Sequence, residues 1–249
     1  MTTAKPVLSK TTISREEINA LPIKRFEGPV YVIHTPEAMA DAVRRLERES
    51  LLGFDTESRA SFKAGVVYPV ALIQLAAAEA VYIFQILRLE KIDALFNILS
   101  NPAITKVGVA LREDIGRLRD RKPFPARGFV DLCSVAKNLG IEKNGLRSLT
   151  ALFLHFRLSK SVQRSNWSVE KLSPKQVAYA ATDAWAPREI LLHLQALNLV
   201  PKHLPEESFE PREKTRHPNP HRHPGPGGHR RHPSMSPASP LSGFVRDDG

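Results

Sequence analysis

The chain has 249 residues, of which 42% are hydrophobic and 25% are charged, and its formal net charge is +10 at pH 7. This length suits one globular domain with at most a tail, and the positive charge favours a polyanionic partner, although a merely solvated basic surface is the alternative. The single cysteine, Cys133, excludes an internal disulfide and fits a reducing compartment, and the most apolar stretch (70–87) is interrupted by polar residues, so we expect no membrane span.

Strands and helices alternate along the first 200 residues. We predict strands over 30–34, 51–56, 70–75, 81–84, 106–109 and 129–132, and helices over 36–49, 110–121, 133–139, 146–155 and from 174 onward. Thr35 and Ser173 each precede a proline, which is typical of a capped helix start. Pro187 should kink the last helix or end its first segment near Trp185. A strand meander followed by alternating strands and helices indicates a mixed α/β sheet with helices on its faces.

The composition changes sharply near Pro201. The segment that follows contains six of the nine histidines and, with Pro201, ten of the twenty prolines, and it has almost no apolar periodicity. Such a segment cannot bury enough apolar surface to offset the entropy of ordering it. We therefore predict a lead-in over 1–28, a folded domain over 29–200 and a disordered tail over 201–249. The tail is interpreted as solvated, with weak metal binding by its histidines as the alternative.

Two acidic residues end the second predicted strand. Asp55 and Glu57 are separated by one residue, so a strand presents both carboxylates on the same side. Two negative charges held so close repel each other unless a cation lies between them, and hard oxygen ligands suit Mg²⁺ or Mn²⁺. The triplet alone is common by chance, but its position after the apolar run 51–54 indicates a sheet end and strengthens the metal-site hypothesis.

Two further aspartates fall on predicted helices. Asp114 lies in the first turn after the strand 106–109, where a carboxylate can also simply complement the helix dipole. Tyr179 and Asp183 are four residues apart and therefore share one face of the last helix, among small or apolar neighbours. An aspartate inside such a helix needs a partner, and a metal ion is a good candidate, whereas a position at the solvent edge is the alternative.

These elements, in this order, resemble the DEDD exonuclease superfamily, specifically its tyrosine branch, which includes ribonuclease D and the Werner-type exonucleases. The resemblance covers roughly residues 28–200. Beyond the acidic residues, it includes the segments 70–75, 107–108, 165–167 and 179–184. The chain is more similar to the Werner-type exonucleases, because ribonuclease D carries helical domains after the nuclease and only the tail follows here.

The resemblance implies a ribonuclease H-like fold, with a mixed sheet of five or six strands flanked by helices in a single domain. It also implies 3′-5′ exonuclease activity with two ions of Mg²⁺ or Mn²⁺. In such a site Asp55 bridges both ions, and Glu57 and Asp183 complete the shell of the first. Asp114 holds the second ion, largely through water, and Tyr179 positions the attacking water.

The resemblance further places the loop after Glu57 and the segment 163–167 at the mouth of the site. The residues predicted to contact nucleic acid are Arg59, Phe62, Lys63, Arg164 and Asn166. Phe62 could either stack on a base or pack in the core. Single-stranded or recessed 3′ ends are the expected substrates, with DNA and RNA equally possible.

Several alternatives stay open at this point. Glu113 competes with Asp114 as the ligand of the second ion. The chain could be a catalytically inactive nucleic-acid-binding module of the same fold, or a metal phosphoesterase acting on small nucleotides. The tail could dock a protein partner, whose identity the sequence does not reveal. We expect a cytoplasmic location, or a nucleoid or nuclear one.

Overall fold

One six-stranded mixed sheet organises the computed structural model, which describes Leu8, residues 10–61, residues 65–205, Glu207 and Phe209. The strands are β1 (Val30–Ile33), β2 (Leu51–Ser58), β3 (Val70–Ala76), β4 (Val81–Gln85), β5 (Thr105–Gly108) and β6 (Phe129–Asp131). The helices are α1 (Arg15–Ala20), α2 (Pro36–Leu46), α3 (Asp93–Ser100), α4 (Leu111–Arg121), α5 (Leu132–Asn138), α6 (Leu146–Leu154) and α7 (Pro174–Ala196). The architecture confirms the predicted α/β class and the mixed sheet.

The strand order β1-β4-β3-β2-β5-β6 places β2 in the interior of the sheet. Strand β2 pairs antiparallel with β3 on one side and parallel with β5 on the other. Because β2 and β5 are parallel, their carboxyl ends meet at one edge of the sheet, where open α/β sheets place their ligand sites. Asp55 and Glu57 on β2 and the start of α4 after β5 are therefore brought to the same edge.

The two faces of the sheet carry different helices. Helices α2, α3 and α4 cover one face, where Leu52 and Phe54 of β2 join the largest apolar cluster. Helix α7 covers the other face and packs small residues, among them Ala180 and Ala184, against β3 and β4. A side chain on Gly53 would place its Cβ 1.9 Å from the backbone oxygen of Ala184. The glycine therefore lets α7 approach β2 closely.

Three features of the helices differ from the sequence prediction. Helix α1 lies within the lead-in 1–28, where no helix was predicted. Helix α3 was not predicted, and it begins after Ile92, which provides no side-chain cap. Helix α7 runs without a break through Pro187, so of the two predicted alternatives an end near Trp185 is wrong, and a kink stays a prediction. A proline removes one backbone donor from the helix, and its ring crowds the carbonyl four residues earlier. Ile190 and Leu194, buried beyond Pro187, provide the apolar packing that offsets this loss.

The described residues before β1 pack on the rest of the domain. Helix α1 begins with a capping box between Ser14 and Glu17. Ile13 and Ile18 are buried and contact Ala151 of α6. The domain limits at 28 and 200 stay predictions, but the packed residues on the amino-terminal side already extend before the first of them.

The described residues after α7 also contact the domain. The amide of Glu207 donates to the backbone oxygen of Phe129 in β6, at 3.4 Å. Phe209 is buried, and its ring lies 6.1 Å from that of Phe129. Most of the predicted tail lies outside the described residues. Among the residues described, no helix is long and apolar enough to cross a membrane.

Candidate active site

Three carboxylates from two elements converge at the edge of the sheet. Asp55 and Glu57 lie on β2, and Asp183 lies on α7, which Gly53 allows to pack closely on that strand. One carboxylate oxygen of each residue lies within 4.8 Å of those of the other two. Strand alternation explains the pair on β2, because residues two apart point to the same face. The structure thus brings together three of the four predicted metal ligands.

Burial and mutual repulsion disfavour the ionised forms of these three carboxylates. Burial raises the pKa of Asp55 well above its usual value, and the charges of Asp183, Glu57 and Asp114 add to the effect. Burial, followed by the charges of Asp183 and Asp114, raises the pKa of Glu57 to about 9. Burial raises the pKa of Asp183 to about 7, against a hydrogen bond from Tyr179. Divalent cations would permit full ionisation, and the all-oxygen donor set fits Mg²⁺ or Mn²⁺.

Asp114 reaches the site from the other face of the sheet. Its carboxylate accepts a hydrogen bond of 2.5 Å from the hydroxyl of Thr56, the residue of β2 that points away from Asp55 and Glu57. This alternation explains why Asp114 is not part of the group of three. Burial raises the pKa of Asp114 to about 6, although the Thr56 hydrogen bond opposes the shift.

Glu113 does not share this position. It is exposed and forms an ion pair with Arg117 one turn along α4. Of the two neighbouring acids, Asp114 is therefore the one held at Thr56, where its charge acts on Asp55 and Glu57, and Glu113 faces solvent.

Asp131 is a positioning residue that the sequence analysis missed. Its buried carboxylate accepts hydrogen bonds of 2.9 Å each from the backbone amides of Ala110, Leu111 and Cys133. Ala110 has a φ of 60°, an uncommon conformation for a residue with a side chain, and the two adjacent hydrogen bonds hold the chain in it. Asp131 thereby fixes the first turn of α4, where Asp114 lies. Its only sequence signal is an acid at a strand end.

Tyr179 lies one turn before Asp183 on α7, as the spacing predicted. Burial raises the pKa of the Tyr179 phenol, and the charge of Asp183 and a hydrogen bond to it add to the shift. The phenol therefore stays protonated near neutral pH. Trp167 is almost fully buried, with its ring 5.8 Å from that of Tyr179, which indicates a packing role.

Gln74 of β3 lies directly opposite Asp55 in the antiparallel pair with β2. Its side chain is fully buried, and within the described part of the chain neither polar atom of its amide has a hydrogen-bond partner. Paired residues in such a ladder lie on the same face of the sheet. An unsatisfied buried amide costs about 1–3 kcal/mol, so a polar group that completes the site would stabilise it.

The predicted nucleic-acid contacts are only partly described. Arg59 is exposed just after β2, and its guanidinium lies 4.9 Å from the ring centre of Tyr68. Arg164 and Asn166 are exposed in the segment before α7, where the side chain of Asn166 accepts from the amide of Ser168. Phe62 and Lys63 lie outside the described residues. The roles of all five stay predictions.

Comparison with known proteins gives one family. Residues 30–197 match the family model described as 3′-5′ exonuclease. A mouse exonuclease 3′-5′ domain-containing protein 2 is 35% identical over 165 residues, which are 61% of this chain and 25% of that protein. The mouse bifunctional 3′-5′ exonuclease/ATP-dependent helicase WRN is 32% identical over 179 residues, which are 67% of this chain and 13% of that protein. Ribonuclease D of Acidiphilium cryptum is 32% identical over 182 residues, which are 70% and 44% of the two chains.

Solved structures show the same fold. The Nibbler EXO domain of Aedes aegypti superposes with a TM-score of 0.63 at 23% identity, over 72% of this chain and 95% of that one. Escherichia coli RNase D superposes with a TM-score of 0.61 at 24% identity, over 69% and 47% of the two chains. The chain spans only about a quarter of the mouse domain-containing protein 2.

Proposed function

The chain belongs to the 3′-5′ exonuclease family, and on this premise we propose that it hydrolyses the terminal phosphodiester bond at the 3′ end of a nucleic acid. The observation that carries the proposal is the convergence of Asp55, Glu57 and Asp183, whose carboxylate oxygens lie within 4.8 Å of one another. The raised pKa values of these groups support a site built to hold divalent metal ions.

We assign the metal ligands by position. Asp55, Glu57 and Asp183 would hold one Mg²⁺ or Mn²⁺ ion, and Asp55 with Asp114 would hold a second. When bound, such ions supply positive charge to the phosphate and lower the pKa of a coordinated water. The hydrogen bond from Thr56 orients the carboxylate of Asp114. Asp131 keeps the first turn of α4 in place beneath it.

The role of Tyr179 depends on its phenol keeping its proton. Because its pKa is raised, the phenol is neutral near pH 7 and cannot serve as a general base. It shares a helix face with Asp183, so its hydroxyl can donate to that carboxylate or orient a water beside it. We therefore assign Tyr179 the role of orienting the nucleophile.

We propose single-stranded or recessed 3′ ends as substrates, of either DNA or RNA. A buried carboxylate group at the edge of the β-sheet suits the end of a nucleic-acid strand that is not base-paired and can enter alone. The net charge of +10 supports a polymer over a mononucleotide.

The experiment is a digestion of matched DNA and RNA oligonucleotides, labelled at the 5′ end, with the purified chain and Mg²⁺ or Mn²⁺. We expect a descending ladder that disappears on metal removal. Asp55→Asn and Asp183→Asn should each lose at least about a hundredfold in rate, because each leaves the ions with fewer charges to hold them. Asp114→Asn should also lose activity, whereas Glu113→Gln, one residue away and on the surface, should not.

Two outcomes would contradict the proposal. Near wild-type hydrolysis by Asp55→Asn would show that the carboxylate group is not the reaction centre. Binding of oligonucleotides without any degradation by the wild-type chain would favour an inactive nucleic-acid-binding module.

A further inference from the structure

The segment 21–26 is fixed beside the active site, although it precedes the residues that match the family. The backbone amide of Arg157 donates to Pro22 at 2.9 Å, and the amide of Lys24 donates to Arg157 at 3.4 Å. The amide of Phe26 donates at 3.0 Å to the hydroxyl of Thr182, which directly precedes Asp183. The segment is thus held between the chain after α6 and helix α7.

A cavity of about 240 Å³ lies between this segment and α7. Tyr179 and Asp183 form part of its lining, and so do three cationic residues, Lys24, Arg25 and Lys175. The cavity therefore leads from the carboxylate group to a basic rim that the segment 21–26 provides.

These cations are available to a ligand. Lys24, Arg25 and Lys175 are exposed, and within the described ranges none of them forms an ion pair with an acidic side chain. The ammonium of Lys24 lies over the face of the Phe156 ring, 5.9 Å from its centre. Exposed cations without acidic partners beside a concave site attract phosphates and release counterions when they bind them.

The geometry favours a polymer over a small anion. A released mononucleotide carries one phosphate. Under the proposed function, the metal ions held by the carboxylates would bind that phosphate, which leaves none for the basic rim. Ile23, 55% exposed, lies next to Lys24 and Arg25 on the same segment, so an apolar surface for a base adjoins the cations. Alternation of cationic and apolar contacts suits successive nucleotides of one strand.

We propose that residues 23–25 and Lys175 form a wall that binds the backbone of single-stranded nucleic acid on the 5′ side of the terminal nucleotide. This inference rests on the proposed function for its placement relative to the metal site. The wall makes the enzyme prefer oligonucleotides to short phosphodiesters, because it contacts phosphates that do not take part in the reaction.

The test is a double substitution, Lys24→Ala with Arg25→Ala, assayed on two substrates. One is a labelled single-stranded oligonucleotide, and the other is the p-nitrophenyl ester of thymidine 5′-phosphate, which has no phosphates beyond the scissile one. For the oligonucleotide we expect KM to rise about tenfold, and the slope of log KM against log salt to fall by about 1.4 for two lost contacts. Turnover of the ester should be unchanged.

The matched control removes two cations elsewhere. Arg48 and Lys91 are exposed and lie next to α2 and α3, on the face of the sheet opposite α7. Arg48→Ala with Lys91→Ala changes the net charge equally and should leave both substrates unaffected. Thermal unfolding of each variant verifies the fold, and the exchanged pair Lys24→Arg with Arg25→Lys should retain wild-type KM.

Binding is measured as well, by fluorescence anisotropy of the same oligonucleotide with each variant in the Asp55→Asn background. If the wall binds nucleic acid, the Kd of the Lys24/Arg25 variant should be higher even if no hydrolysis is observed. This measurement therefore distinguishes a failure of the proposed function from a failure of the inference about the wall. An unchanged Kd and salt slope would overturn the inference. An equal loss in the Arg48/Lys91 control, or a loss of ester turnover, would also overturn it.

Discussion

Gly53 sets the distance between the strand that carries Asp55 and the helix that carries Asp183. In Gly53→Ala the new Cβ would meet the backbone oxygen of Ala184 at 1.9 Å, whereas real Cβ contacts essentially never fall below 3.0 Å. Helix α7 would therefore have to move by about 1 Å, since a backbone atom cannot turn aside as a side chain can. A displacement of about 1 Å in a reaction centre can lower the rate roughly a hundredfold, and overpacking costs about 1–3 kcal/mol.

The assay compares kcat on a single-stranded oligonucleotide with urea unfolding for the same preparations. Gly116→Ala is the matched control, because Gly116 lies on the exposed side of α4 and a Cβ there would meet no atom within 4 Å. We expect that control to keep its activity and to gain about 0.5–1 kcal/mol, since alanine favours a helix. A Gly53→Ala enzyme with wild-type kcat and stability would refute the close packing of α7 on β2.

Three further predictions concern stability. Asp131→Ala should lower the free energy of unfolding by about 4 kcal/mol, since three backbone donors lose a charged acceptor; a loss below about 1 kcal/mol in urea unfolding would contradict this. The folded pKa values of Glu57 and Asp183 exceed their unfolded ones, so the metal-free protein should lose stability as pH rises from about 4 to about 9. Saturating Mg²⁺ should flatten this trend in Tm, and Asp183→Asn should reduce it; a Tm that rises with pH in EDTA would contradict the assignment. Phe209→Ala should cost about 3 kcal/mol in thermal unfolding, because the buried ring packs against the core, whereas an unchanged Tm would show that its contacts are not stabilising.

Much of the fold follows from local patterns. The first half of β2 (51–54) and most of β3 and β4 are apolar, and the capping residues Thr35 and Ser173 mark the starts of α2 and α7. The i, i+2 and i, i+4 spacings predicted the pairs Asp55–Glu57 and Tyr179–Asp183, because each spacing fixes a shared face within one element.

What the sequence did not reveal depends on contacts between distant elements. Asp131 orders the start of α4 across 20 residues of chain, and no local pattern signals that bond. Helix α3 starts without a capping side chain, so no capping residue in the sequence marks its first turn. Pro187 is tolerated because the helix beyond it is buried, and that burial is a property of the assembled core. The separation of Asp114 from the other three acids follows from which face of β2 carries Thr56.

The contacts of Glu207 have a practical consequence for anyone who shortens the gene. The side chain of Glu207 accepts from the amide of Asp131 at 3.3 Å and from the hydroxyl of Ser134 at 3.2 Å. A fragment cut at the family boundaries, 30–197, would remove this support from the residue that orders α4, together with the basic segment 21–26. Residues 21–207 are the smallest span that keeps both, and the span 10–209 also keeps α1 and the buried Phe209, so expression trials should begin with 10–209.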